Sequence, residues 1–323
     1  MKIIKLLTLT AFLIISNLNF TMAQTKIAGV YKRSSGNPEG GNTFFIFDDH
    51  KFVVAFFGGV IVGTWSMENN KIHFKPNVKE HSFYIYGRHN KDLKDSSKIY
   101  FQGFNEGKTF VGLGKKEADK PLLRSVFNDH PNCVPYPSVA KFDEIPAQIL
   151  FTDLPYNNDG AKRAMYTFDN SEKYNDFIAY YAKDDLERRP FDAELKGDKI
   201  HFGYDEKGSE RYPLPTKGED FEFIKKLLDA PESTDKVFYN PFYNESGEDV
   251  NDKLNWKFDE GKNAFINFQN YVEGEEHRPD EQDAYNKMNI VYQFNLLKLT
   301  QKEPKAFAKE AKPLFVANCE ERD

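Results

Sequence analysis

Val60-Ile61-Val62-Gly63-Thr64-Trp65-Ser66-Met67-Glu68-Asn69-Asn70-Lys71-Ile72-His73-Phe74-Lys75 is the stretch whose reading decides the fold. Two runs of apolar, β-branched and aromatic residues flank Asn69-Asn70, a pair that tolerates positive φ and so makes a two-residue turn. Strands joined this tightly must run antiparallel, because a parallel crossover needs about a dozen residues or more. Working outward, short strands follow the same pattern at 29–32, 43–57, 81–86, 98–101 and 109–113, with glycine turns at Gly58-Gly59 and Glu106-Gly107. The 30 Phe and 17 Tyr, against 5 Met, favour pleated surfaces over helices. The fold class read from this is all-β, mainly an antiparallel meander closed as a barrel or stacked as a sandwich. A few short helices are expected near 115–127, 220–229 and 303–312, where apolar residues return at helical spacing.

Gly29-Val30-Tyr31, the strand Phe44 to Phe47, Gly63-Thr64-Trp65 and Ile72-His73-Phe74 together resemble the lipocalin-like barrel domains of secreted bacterial proteins. Those domains begin with a glycine and an aromatic residue and carry a Gly-Thr-Trp strand. The resemblance covers residues 27–113 and implies a barrel. Tyr31 stands where the first-strand tryptophan is usual, and no ligand-binding residue carries over.

Pro131, Pro135 and Pro137 interrupt regular structure, which suggests a signal segment at 1–23, a barrel-like domain at 24–135, a linker at 136–146 and a second, expanded β-rich domain at 147–323. Internal echoes suggest two related halves. Phe45-Ile46-Phe47-Asp48 returns as Tyr166-Thr167-Phe168-Asp169 and as Trp256-Lys257-Phe258-Asp259, and Lys71-Ile72-His73-Phe74 returns verbatim at 199–202. At an offset of 186, Leu113, Lys116, Glu117, Asn132 and Cys133 match Leu299, Lys302, Glu303, Asn318 and Cys319.

Lys2 and Lys5, the apolar run Leu6 to Ile15, and the small residues Thr21 and Ala23 have the layout of an export signal cut ahead of Gln24. The apolar run is about half the ~20 residues that span a bilayer, and no later stretch reaches that length, so no membrane span is expected after cleavage. A periplasmic or secreted location follows. Losing Lys2 and Lys5 takes the formal charge from -6 to -8, which argues against a nucleic-acid partner, since phosphate backbones need a basic face.

No catalytic or metal signature stands out, so catalytic residues stay unassigned and neither a metal nor a cofactor is expected. Ser138-Val139-Ala140-Lys141 has the Ser-x-x-Lys string of penicillin-recognising enzymes but lacks its companion motifs. His73, His81 and His89 are separated by Pro76 and Gly87, and Asn157-Asn158-Asp159-Gly160 lacks the alternating acids of a calcium loop. Asp48-Asp49, Asp184-Asp185 and Glu275-Glu276 are neighbours that composition explains among 50 acids. Trp65 and Trp256 are the candidate ligand-binding residues, able to stack on a sugar or line an apolar cavity. The reading is a non-catalytic binding protein for a small-molecule (apolar) or glycan ligand. Its rivals are a hydrolase with carboxylates that converge only in the fold, and a cell-envelope interaction module using the acidic loop Glu273 to Asp283. Cys133 and Cys319 are the only cysteines, and an oxidising compartment would pair them as a disulfide tying the halves together; two buried free thiols are the alternative.

Mass analysis of the chain isolated from its source should find Gln24 or Thr25 at the N-terminus of soluble material; an intact Met1 on membrane-bound protein would contradict the export signal.

Overall fold

Alternation along the strands explains how the chain closes. In the computed structural model, which describes residues 27–33, 40–114, 120–154, 164–182, 189–203, 205–229, 234–277 and 289–319, the chain divides into two units. One is drawn from residues up to 80 and from the 184–232 segment, the other from 81–183 and from 233 onward.

The first unit opens with β1 (Gly29–Arg33), β2 (Asn42–Ile46), β3 (Lys51–Phe56), β4 (Gly59–Glu68) and β5 (Lys71–Pro76). Each pairs antiparallel with the next, as the tight turns require. The sequence stretch 43–57 is two strands rather than one. Asp48-Asp49-His50 turns the chain, with His50 at φ 65° and the Phe47 N–H donating to the Lys51 carbonyl at 3.0 Å. Inward residues alternate: Trp65 on β4, then Ile72 and Phe74 on β5, are buried while Thr64 and Ser66 face out. Gly63 has no room for a side chain, because a Cβ there would meet the Lys75 carbonyl and come within 2.6 Å of the Phe52 ring.

Five strands leave two open edges, and the chain returns to close them. After an excursion through the second unit it supplies β14 (Phe191–Lys196), β15 (Lys199–Phe202) and β16 (Ser209–Tyr212). β14 pairs with β5, and β16 pairs with β1, giving a closed barrel in the order β1-β16-β15-β14-β5-β4-β3-β2. The helix α1 (Glu219–Asp229) then follows, and buried Ile224 presents its apolar side to the outer wall near β3. This barrel is consistent with the lipocalin-like resemblance, but its last three strands lie far beyond residue 113.

The second unit holds β6 (Phe83–Arg88), β7 (Ser97–Gln102), β8 (Lys108–Gly114), β9 (Leu122–Ser125), β10 (Val139–Phe142), β11 (Gln148–Leu154), β12 (Ala164–Asp169) and β13 (Asp176–Tyr181). It is completed by β17 (Lys236–Tyr239), β18 (Trp256–Asp259), β19 (Ala264–Asn267), β20 (Ile290–Leu296), β21 (Leu299–Pro304) and β22 (Ala308–Lys309). One sheet has the order β10-β7-β13-β6-β20-β19-β18, with β17 also on β20, and the other β21-β12-β11-β8-β9-β22. Phe83, Ile99 and Phe177 from the first sheet pack with Ile149, Phe151 and Phe168 from the second in one buried cluster. The unit is therefore a sandwich, so the all-β expectation holds with both a barrel and a stacked pair of sheets.

Several boundaries move. The 136–146 stretch read as a linker contains β10, which pairs with β7, and the barrel takes strands from both sides of it. Leu122–Ser125 is a strand rather than helix, and 303–312 carries the end of β21 and the whole of the two-residue β22 instead of a helix; 115–119 lies outside the described residues. The expected helix at 220–229 is α1. The two Lys-Ile-His-Phe copies are β5 and β15 of one barrel, on either side of β14, so that echo does not mark two separate halves.

The segments after β9 and β22 run side by side in parallel, with Phe127 paired to Phe315 and the Asn132 side chain accepting from the Cys319 N–H at 2.7 Å. Cys133 and Cys319 are bonded, with Cα atoms 5.0 Å apart. Both belong to the second unit, so the bond fastens the C-terminal segment within one unit instead of tying two halves. Thiol titration of protein denatured without reductant should find no reactive thiol. Reduction should lower stability by up to about 5 kcal/mol, the chain-entropy bound for so long a loop; two reactive thiols per chain would refute the bond.

Candidate functional site

The barrel is packed at one end and open at the other. Toward the closed end, Ile27, Tyr31, Ile46, Trp65, Ile72 and Ile200 form a buried core. The Tyr31 hydroxyl donates to the Ile27 carbonyl at 2.8 Å, and burial pushes its pKa up to about 12. The Trp65 indole N–H donates to the Phe47 carbonyl at 2.9 Å while the His50 ring lies 4.8 Å away. Trp65 is thus a core tryptophan with its polar handle satisfied inside the barrel wall.

At the other end the inward residues leave a cavity of about 710 Å³. Its floor is apolar: Phe44, Val54, Ile61, Phe191 and Phe202. The rings order one another. Phe44 stacks on Phe202 with centroids 4.0 Å apart, Phe191 stacks on Phe74 at 4.9 Å, and Phe52 meets Phe74 edge-on at 5.0 Å. Such offset and edge-on contacts hold aromatic rings in place beyond their area of burial. The floor is accordingly a fixed surface.

Polar groups ring the opening: Arg33 and Asn42 on the β1–β2 side, Asp192 and Asp205 on the β14–β15 side. Asp192 faces the outside of the wall, where it accepts from Lys71 at 2.8 Å and His73 at 2.7 Å. Those two hydrogen bonds, Lys71 first, hold its carboxyl below the usual range, and the bond to Asp192 raises the Lys71 amine. The arrangement is an aromatic basin under a charged rim, suited to holding a molecule. His73 is occupied by its hydrogen bond to Asp192, and His81 and His89 belong to the other unit; among the described residues no group of three or more His, Cys, Asp or Glu has metal-binding geometry.

The second unit has its own polar constellation on the outer face of its larger sheet. Asp176 is buried, and its Oδ2 accepts from Arg88 Nη2 at 2.7 Å, Arg88 Nε at 2.9 Å and Asn90 Nδ2 at 3.0 Å, with Lys98 Nζ at 3.6 Å. The guanidinium of Arg88 lies 3.8 Å from the centroid of the Tyr292 ring. Burial lowers the Lys98 amine, an effect that Asp176 opposes. Beside it the hydroxyls of Tyr180 and Tyr239 are 2.6 Å apart, and Tyr239 donates to Gln102 Oε1 at 2.8 Å. Asp176 Oδ1 and the nearby Tyr243 hydroxyl are buried without a hydrogen-bond partner among the described residues, while the other charges and hydroxyls named here pair with one another and brace the sheet.

The remaining sequence candidates fall in ordinary places. Trp256 is buried with Val250 and Val291. The Ser138 hydroxyl donates to the Pro135 carbonyl at 2.6 Å, and Lys141 sits on β10, so the Ser-x-x-Lys string opens no helix. Lys262 bridges Glu273 and Glu276 at 2.8 Å each, while the acidic loop beyond residue 277 lies outside the described residues. The same holds for 1–26, for Asn157 to Gly160 and for Asp184-Asp185. Sequence reasoning missed the rim residues Arg33 and Asn42 because their meeting depends on strand register; the alternation of Asn42 with Phe44 was the available signal.

The architecture is that of a barrel protein compatible with ligand binding, and no helix among the described residues is long and apolar enough to cross a membrane. No protein-family model matches the chain, no curated protein matches it, and no solved structure matches it.

Burial raises the pKa of Tyr100, Tyr180, Tyr239 and Tyr243 well above the usual phenol value of 10.0. A pKa raised on folding favours the folded state fully below the unfolded value and loses that contribution as pH rises past it. Absorbance at 295 nm should therefore show the exposed tyrosines ionising near pH 10, with this group following only as the protein unfolds at higher pH; one reversible step for all tyrosines in folded protein would contradict the burial.

Proposed function

We propose that this chain is an exported, non-catalytic binding protein that holds a small, largely apolar ligand in the mouth of its barrel. The observation that carries this reading is the cavity of about 710 Å³ floored by Phe44, Val54, Ile61, Phe191 and Phe202. Small-molecule pockets have such volumes, apolar linings and a few polar groups that set orientation, and eight-stranded barrels use their interiors in this way. The apolar floor favours a hydrocarbon or aromatic body over a glycan, since sugars require hydrogen-bonding partners along their faces. Export rests on the N-terminal pattern alone.

Native mass spectrometry of protein purified from its source should reveal a retained ligand, and the neutral dye N-phenyl-1-naphthylamine should brighten on binding the emptied barrel. Phe191→Asp, which puts a charge into the floor, should weaken dye binding at least about tenfold, a loss of ~1.4 kcal/mol, with the β-type circular dichroism kept. A dye that neither wild type nor variant binds would overturn the cavity reading.

A further inference from the structure

We propose that the ligand is an amphipathic anion whose carboxylate or phosphate head is read by Arg33 and Asn42; this rests on the barrel-mouth reading above. The argument begins with strand register. Arg33 and Asn42 are directly opposed across β1 and β2. Side chains two apart on a strand share a face, so Arg33 shares the face of buried Tyr31, and Asn42 the face of Phe44 and Ile46. Both therefore turn toward the barrel interior, and both line the cavity.

Arg33 is exposed at the mouth, so its guanidinium stays hydrated in the free protein and stands at the edge of the aromatic floor, where it can meet an anionic group without first breaking an internal ion pair. Among the described residues Arg33 forms no salt bridge. The acids across the rim do not neutralise it: Asp192 points to the outer side and is held by Lys71 and His73, and Asp205 accepts from the Lys207 N–H at 3.1 Å. A planar guanidinium offers paired N–H donors that fit two oxygens of a carboxylate or phosphate. The Asn42 amide adds a further donor from the neighbouring strand. The floor below takes the apolar body.

Displacement of N-phenyl-1-naphthylamine by dodecanoate, dodecyl phosphate and dodecanol tests this, and comparing the first two distinguishes a carboxylate from a phosphate head. Wild type should bind at least one of the two anions about tenfold or more tighter than the alcohol. Arg33→Ala should bring that anion down to the affinity of dodecanol, and Arg33→Lys should keep only part of the preference. Lys32→Ala removes the same charge from the adjacent position on the other face of β1, and should leave the preference intact. Equal binding of anions and alcohol by wild type, or a preference that survives Arg33→Ala, would overturn the proposal while leaving the cavity reading standing. If none of the three displaces the dye, or the dye does not bind, both fail.

Discussion

Unpaired backbone at a sheet edge is the constraint on which this fold turns. A meander of five strands with one apolar face cannot hide that face or satisfy both edges. β14 settles the matter by pairing with β5 on one side and β15 on the other, after which β16 reaches β1. Closure turns the alternating residues of eight strands into one interior. Small and large residues share it unevenly: Ala193 and Leu195 face the core from β14, whereas Phe44, Phe74, Phe191 and Phe202 crowd toward the open end. The same act that removes the edges thus creates both the packed end and the basin.

Local chemistry was legible in the sequence where it was decided by neighbouring residues. Asn69-Asn70 and Gly58-Gly59 announced their hairpins, Gly63-Thr64-Trp65 announced an inward-facing strand, and the apolar spacing at 220–229 announced α1. What depended on distant partners was not legible. Nothing in Phe191 to Tyr212 says that these strands complete a barrel begun at Gly29, since their pattern would serve equally in a second domain. Thr43 to Phe57 looked continuous because Asp48-Asp49-His50 is short enough to hide a turn inside an aromatic run. Within the helix expected over 115–127, Leu122–Ser125 gave way to a strand because the β8 edge offered hydrogen bonds that a local period cannot register.

The candidate site shows the same division. The aromatic residues of its floor were visible as strand residues, and the two tryptophans were the natural suspects for ligand contact. Trp65 instead spends its N–H on the Phe47 carbonyl in the core, and phenylalanines, with Phe44 and Phe202 themselves buried, line the basin. In the second unit Asp176, Arg88 and Lys98 come together from three strands, a meeting that adjacency in sequence never suggested.

Because Val30 pairs with a strand that ends at Tyr212, the order of synthesis matters. On the ribosome β1 to β5 emerge first, and most of a second β-rich unit must follow before the closing strands are made. Any sheet formed early waits with two hydrogen-bonding edges open, the condition in which nascent β proteins pair with the wrong neighbour. The discontinuous chain therefore places a demand on its cellular handling: the unfinished barrel needs shielding, or a delay in folding, until its last three strands exist.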